Sequence, residues 1–345
     1  MNWLALFALL NFTVAAFAAQ KPATLEWNRL APLPDANGVA APFAGVSSGA
    51  LVVAGGANFP NAKPWEGGSK VWHDDVFVLS RPDGEWQRAG QLPHPLAYGV
   101  SATYGGEMIC VGGSDEGRHH AEVFALRWRG GKISTRPLPS LPRPIANACG
   151  AVINGTLYIA GGISEPTATN ALPTFFALDL NEPNSWRELP TWPGPARMLA
   201  MAAAQNEAFF LIGGVELLAG ERGTPERRYL RDAFRFAPGR KRWERIADLP
   251  FALAGAPTIA PDALVILGGD DGSRAHLPPT PTHPRFNDAV LAYDMKRDVW
   301  TRIGTSLAPR ATVPTVFWNG AWIMPSGEVR PGVRSPEVWD VHIAR

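Results

Sequence analysis

Glu328 and Arg334 stand near the end of the chain in MPSGEVRPGVRS, separated by a Pro331–Gly332 turn. A Pro-Gly pair reverses the chain, so the segment is expected to fold back and point carboxylate and guanidinium into one small volume. A carboxylate can take a proton and return it. A guanidinium can hold a planar anion by a two-pronged hydrogen bond. An isolated Glu/Arg pair is more often a solvated surface contact, so the elements that position it decide its meaning.

Those elements are repeats. Apolar runs closing in Gly-Gly recur as LVVAGG, MICVGG, LYIAGG, FFLIGG and LVILGG, with their second glycines at 56, 113, 162, 214 and 269, and an altered sixth copy, WIMPSG, ends at Gly327. The steps between them, 57, 49, 52, 55 and 58 residues, match the period of kelch repeats, each a four-stranded propeller blade. Glycine at these sites supplies positive φ or close backbone approach. A second repeat begins with a large apolar residue and ends in Leu-Pro or a variant. It starts at Trp27, Trp86, Ile133, Trp186, Trp243 and Trp300. Tryptophan there is expected to pack between blades, and proline ends each outer strand because it cannot donate to a ladder. A third, alternating repeat lies between, as in DVFVL and EVFAL. Six copies of each element predict an all-β, six-bladed kelch-type β-propeller.

The last alternating strand, EVWDVHIAR, ends the chain without its Trp strand, and a spare one, EWNRLAPLP, stands near the start. The N-terminal strand is therefore expected to complete the last blade, which removes an exposed sheet edge. Residues 19–345 read as this one domain. The preceding MNWLALFALLNFTVAAFA ends in Ala-Phe-Ala, the pattern of a cleaved signal peptide over residues 1–18. Asn11 and Thr13 interrupt its apolar run, which is short for a membrane anchor. A periplasmic or secreted protein follows, with no stable membrane insertion after cleavage.

Formal net charge is +1 with 18% charged residues. No basic stripe is available for nucleic acid. Cys110 and Cys149 read as buried free thiols on strands. The seven histidines read as structural or exposed: adjacent His119 and His120 point to opposite faces of a strand, and His276 and His283 lie in a Pro-rich loop without companion ligands. No metal and no organic cofactor are expected. A homodimer is compatible with the chain.

Other candidates flank the innermost strands and fill two long loops. Arg197 in GPARMLAM and Arg310 in APRATV stand where innermost strands begin, either binding a ligand or bonding loop carbonyls. The loop after Gly56 offers Asn58, Phe59, Lys63 and Trp65; the loop after Gly269 offers His276 and Arg285. Loops of this length are often functional.

SGEVRPGVRS resembles the G-E-x-x-P-G-x-R segment of the bacterial N-acetylneuraminate epimerase (sialic acid mutarotase) family. The stretch from WNRLAPLP to VVAGGANF and the stretch LAYGVSATYGGEMICVGG resemble two further segments of the same family. Here those two come first and the Glu/Arg segment last, so the chain resembles a cyclically permuted branch, an arrangement that a closed ring with adjacent termini tolerates. The resemblance implies interconversion of the α and β anomers of sialic acid. Glu328 is then the general base, and Arg334 binds the substrate carboxylate. Arg197, Arg310, Asn58, Phe59, Trp65 and His276 are secondary binding candidates, and water or His276 could protonate the ring oxygen. A non-catalytic propeller binding glycan or protein, or a mutarotase for another sugar, remains the alternative. Two rivals lack their signatures: a copper oxidase needs a Tyr–Cys crosslink with two His ligands, and a sialidase carries S-x-D-x-G-x-T-W turns.

Overall fold

The structure is a computed structural model that describes residues 24–220, 223–260 and 263–344. The signal-peptide reading lies outside the described residues. Six four-stranded antiparallel sheets form the six blades of the expected propeller. In blade one the order from centre to rim is Phe43–Ser47, Ala50–Ala54, Asp75–Leu79 and Gln87–Gln91. Blade six is Val316–Trp318, Ala321–Pro325, Val338–Ala344 and Thr24–Leu30. Its rim strand is the N-terminal one, paired through Trp27↔Val341 and Arg29↔Trp339. The chain closes as its spare Trp strand requires.

Both signature repeats act as expected. Each Gly-Gly pair has positive φ at both residues, and in the sixth copy Ser326 (φ 70°) and Gly327 (φ 105°) do the same. A left-handed serine is unusual, and its hydroxyl explains why it is kept. Ser326 Oγ accepts from the Val39 amide at 2.7 Å and lies 2.7 Å from the Ser335 carbonyl, so it ties the sixth blade to the chain entering the first. The rim tryptophans bridge blades: Trp86, Trp186, Trp243 and Trp300 donate Nε1–H to Ala31, Pro139, Pro190 and Ala247 carbonyls of the preceding repeat, at 2.8–2.9 Å. Apolar clusters sit between successive blades, for example Phe43, Val52, Val76 and Leu96 against Met108, Cys110 and Leu126.

A feature without a residue signature lines the axis. Ala41, Tyr98, Asn147, Leu199, Gly255 and Thr312 all have φ between 48° and 62°. The amide of each donates to the carbonyl of its counterpart in the preceding blade, Ala41 closing on Thr312, at 2.6–3.0 Å. This hydrogen-bonded circle joins all six blades. Beyond it, a channel of about 500 Å³ runs between the innermost strands, walled largely by small residues such as Ala102, Ala151 and Ala203. Among the described residues no helix is long and apolar enough to cross a membrane.

Candidate functional site

The Pro331–Gly332 turn folds back as the sequence predicts. Glu328–Arg330 and Val333–Arg334 pair as a short hairpin, with Glu328 opposite Arg334. The hairpin stands beside the axial circle, because Glu328 bridges Ala311, the residue before Thr312, and no hairpin residue lines the channel itself. Arg334 Nη1 lies 3.0 Å from Glu328 Oε1. Its N–H is not aimed at that oxygen, so the contact is one of charge, and Nε and Nη1 of the buried Arg334 meet no protein acceptor. The Glu328 carboxylate is fixed instead by the Gly332 amide, which donates to Oε1 at 2.9 Å. Arg330 on the same hairpin also has an Nε buried without a protein acceptor; the sequence reading did not single it out.

Both long loops press on this hairpin. The ring of Phe59 lies 4.7 Å beneath the Arg334 guanidinium, a cation–π contact. Pro64 and Trp65 pack on Gly332, where an added Cβ would meet Pro64 Cγ at 3.0 Å and Trp65 at 3.3 Å. On the other side, Pro331 shares a small cleft with Asp271, Arg274, His283 and Arg285. Phe59 and Trp65 thus join Glu328 and Arg334. Lys63 stays at the edge, its Nζ 3.2 Å from Asn37 Oδ1.

Three candidates turn out to be framework. Arg197 is fully buried: it grips Asp232 with Nη1 and Nη2 at 2.8 and 2.9 Å, and Nη1 also donates to the Gly213 carbonyl. Arg310 does the same job in blade six. Its Nη1 donates to the Ser326 and Glu337 carbonyls and its Nη2 to Glu337 Oε2 at 2.9 Å. Burial pulls the Arg310 pKa down to about 10, against the opposing pull of Glu337. Each arginine binds the left-handed residue of its blade and an acidic residue, Asp232 within the third strand of blade four or Glu337 just before that of blade six, so both serve the framework. Asn58 is also enclosed: Nδ2 donates to Asp35 and Gly38, both at 2.9 Å, and Oδ1 lies 2.8 Å from His73 Nε2. The apolar neighbours in the sequence gave no sign of these buried partners.

His276 is exposed on its loop and is not drawn to Glu328 by any contact among the described residues. Cys110 and Cys149 are free and buried, as expected. Burial pushes the Cys149 thiol up to about 12 and that of Cys110 well above its usual value. The histidines fall into different surroundings. His119 is structural, its Nδ1 3.1 Å from the Ile163 carbonyl. His120 meets Glu122, two residues on, and His94 from a separate segment, with one ligand atom from each lying within 4.8 Å of the others.

The chain is therefore a six-bladed β-propeller with a carboxylate–arginine hairpin beside its axial circle. The profile of the N-acetylneuraminate epimerase family matches residues 10–135 and 138–276, and the chain belongs to that family. N-acetylneuraminate epimerases of Salmonella arizonae, Salmonella typhi and Brucella suis are each 37% identical to it over 125 residues, 32% of this chain and 32% of theirs. The aligned stretch thus spans about a third of the length of those curated relatives. A solved structure of YjhT shares the fold, with a TM-score of 0.67 and 16% identity over 90% of this chain and 95% of that one. The family match ends at residue 276, before the Glu328–Arg334 hairpin.

Proposed function

We propose that this protein is a mutarotase that interconverts the α and β anomers of N-acetylneuraminate, with Glu328 as general base and Arg334 as the clamp for the substrate carboxylate. The observation that carries the proposal is the buried Arg334 guanidinium beside Glu328, with Nε and Nη1 lacking protein acceptors. Such unmatched N–H groups on a guanidinium can donate charge-assisted hydrogen bonds to a ligand carboxylate. Arg330, with another unmatched Nε on the same hairpin, adds to the attraction for an anion. Phe59 stacks on one face of Arg334, which leaves the edge of the fork for the ligand.

Sialic acid is a 2-keto acid closed as a hemiketal, so its carboxylate and anomeric hydroxyl share one carbon. Holding the carboxylate at Arg334 brings that hydroxyl to the neighbouring Glu328. Glu328 removes the hydroxyl proton, the bond from the anomeric carbon to the ring oxygen breaks, and water protonates the ring oxygen. Rotation of the keto group and reclosure on its other face give the second anomer, the ring-oxygen hydroxyl returning its proton to the hydroxide left by that water and Glu328 returning its own to the new anomeric oxygen. General base catalysis of this kind contributes about 10²–10⁴-fold. Family membership supports the substrate, and a permuted order of segments accounts for a family match that stops short of the hairpin. The N-terminal segment favours action in the periplasm or outside the cell.

The test is the approach of freshly released α-N-acetylneuraminate to anomeric equilibrium, followed by NMR. Catalytic amounts of protein should shorten it. Tight binding with an unaltered rate would identify a sugar-binding propeller instead.

A further inference from the structure

The geometry points to a transition-metal site on blade two, formed by His94, His120 and Glu122, that takes a divalent cation of the zinc class. This goes beyond the mutarotase reading and stands apart from Glu328 and Arg334. The three side chains come from two separate segments. His94 lies in the connector from blade one to the innermost strand of blade two, between Gln87–Gln91 and Val100–Tyr104. His120 and Glu122 lie just before the third strand of blade two, Val123–Arg129.

The donors already face each other. His94 Nε2 lies 2.8 Å from Glu122 Oε2, and His120 Nδ1 lies 4.0 Å from Glu122 Oε1. The imidazole centroids are 4.4 Å apart. Bonds of about 2.0–2.1 Å at tetrahedral angles put neighbouring ligand atoms roughly 3.3 Å apart. The spacing here needs only small side-chain movements to reach that value.

Support behind the ligands matches what metal sites use. Asp115 Oδ2 lies 2.8 Å from His120 Nε2, so His120 donates from Nε2 and keeps the Nδ1 lone pair for a cation. Asp115 is itself held by the amides of Gly117 and Arg118, both at 2.8 Å. A carboxylate behind a histidine is the usual way to fix tautomer and ring orientation at a metal. The side chain of His120 is 3% exposed and that of Glu122 50% exposed. The site is therefore rigid on its inner side and open to ions on its outer side. Two imidazoles and one carboxylate suit zinc, with a fourth position for water.

Isothermal titration of zinc chloride into the untagged, chelator-treated protein tests the site. Cobalt(II) serves as a spectroscopic substitute. One equivalent should bind per chain, with the visible absorption of tetrahedral cobalt. His94→Ala and Glu122→Gln should each weaken binding at least tenfold. Asp115→Asn should weaken it about 10–100-fold. His94 and Glu122 are partly exposed, so melting curves without metal confirm that these variants are folded. Anomer exchange by His94→Ala should equal wild type, which separates this site from the proposed activity. Absence of saturable zinc binding, or equal affinity in His94→Ala and Glu122→Gln, would overturn the site.

Discussion

Arg310 Nη2 reaches Glu337 Oε2 at 2.9 Å, and through this pair the two ends of the Glu328–Arg334 hairpin are stapled together. Nη1 of the same arginine holds the carbonyls of Ser326 and Glu337, which flank the hairpin. The catalytic carboxylate proposed here is thus placed by a residue with no access to substrate.

Arg310→Ala should leave the buried Ser326 carbonyl without its side-chain donor, while the Glu337 carbonyl keeps the Ser326 amide, at about 1–3 kcal/mol for an unsatisfied buried group. Chemical denaturation checks the loss. The hairpin should loosen with it, so anomer exchange should fall even at temperatures where the variant is folded. Lysine at 310 should recover part of the stability, since it keeps charge but not the fork.

The closure of the ring makes a second prediction. Trp27 is half-buried on the N-terminal strand, its ring 6.1 Å from that of Trp339. Trp27→Ala should lower the melting temperature, with a cost of roughly 1–3 kcal/mol, below the full cost of an entirely buried aromatic. Activity should persist below the new melting point. Deletion through Leu33 removes the rim strand of the blade that carries Glu328, together with the Leu33 amide bond to Pro336 at 2.9 Å. Stability and activity should vanish together in that deletion. A deletion that melts and works like the intact protein would contradict the closure.

Arg334 separates binding from chemistry. Arg334→Lys keeps the charge but loses two-pronged recognition of a carboxylate. Binding of N-acetylneuraminate should weaken more than binding of its methyl ester. Equal affinity of the wild type for acid and ester, measured by calorimetry, would count against the clamp.

The loop beside Pro331 carries a pH dependence. Burial opposes ionisation of Asp271, but donation from the Ser273 hydroxyl, from Asn287 Nδ2 at 2.8 Å and from the Ser273 amide outweighs it and holds the carboxyl below its usual range. A carboxyl depressed on folding stabilises above its unfolded pKa, and that contribution is lost as pH falls through the folded value. Melting temperature should therefore drop below the ordinary carboxylate range, and Asp271→Asn should flatten part of the drop.

The fold was legible because its signals are backbone requirements. Positive φ forces glycine at five of the six left-handed pairs, and proline ends rim strands. The Glu328–Arg334 hairpin was legible for the same reason, since a Pro-Gly turn leaves little choice of direction. What stayed hidden depends on tertiary partners. Nothing beside Arg197 in the chain announces Asp232, and nothing beside Asn58 announces Asp35. The circle along the axis uses Ala, Tyr, Asn, Leu, Gly and Thr in turn, sharing conformation but no side-chain type. His94 and Glu122 meet only because the connector into blade two passes over the start of its third strand. The extended hairpin of blade four, Ala208–Leu218 with Glu226–Ala237, was also unforeseen, because its strands run past Gly-Gly where the other blades turn away.

The central claim rests on Glu328 as the base. Anomer exchange of N-acetylneuraminate by wild type and Glu328→Gln, compared by NMR at equal protein concentration, tests it most directly. Glutamine keeps the shape and can still accept from the Gly332 amide, but it cannot take the anomeric proton. The predicted result is a folded variant whose rate falls about a hundredfold or more. An unchanged rate in the folded variant would contradict the account.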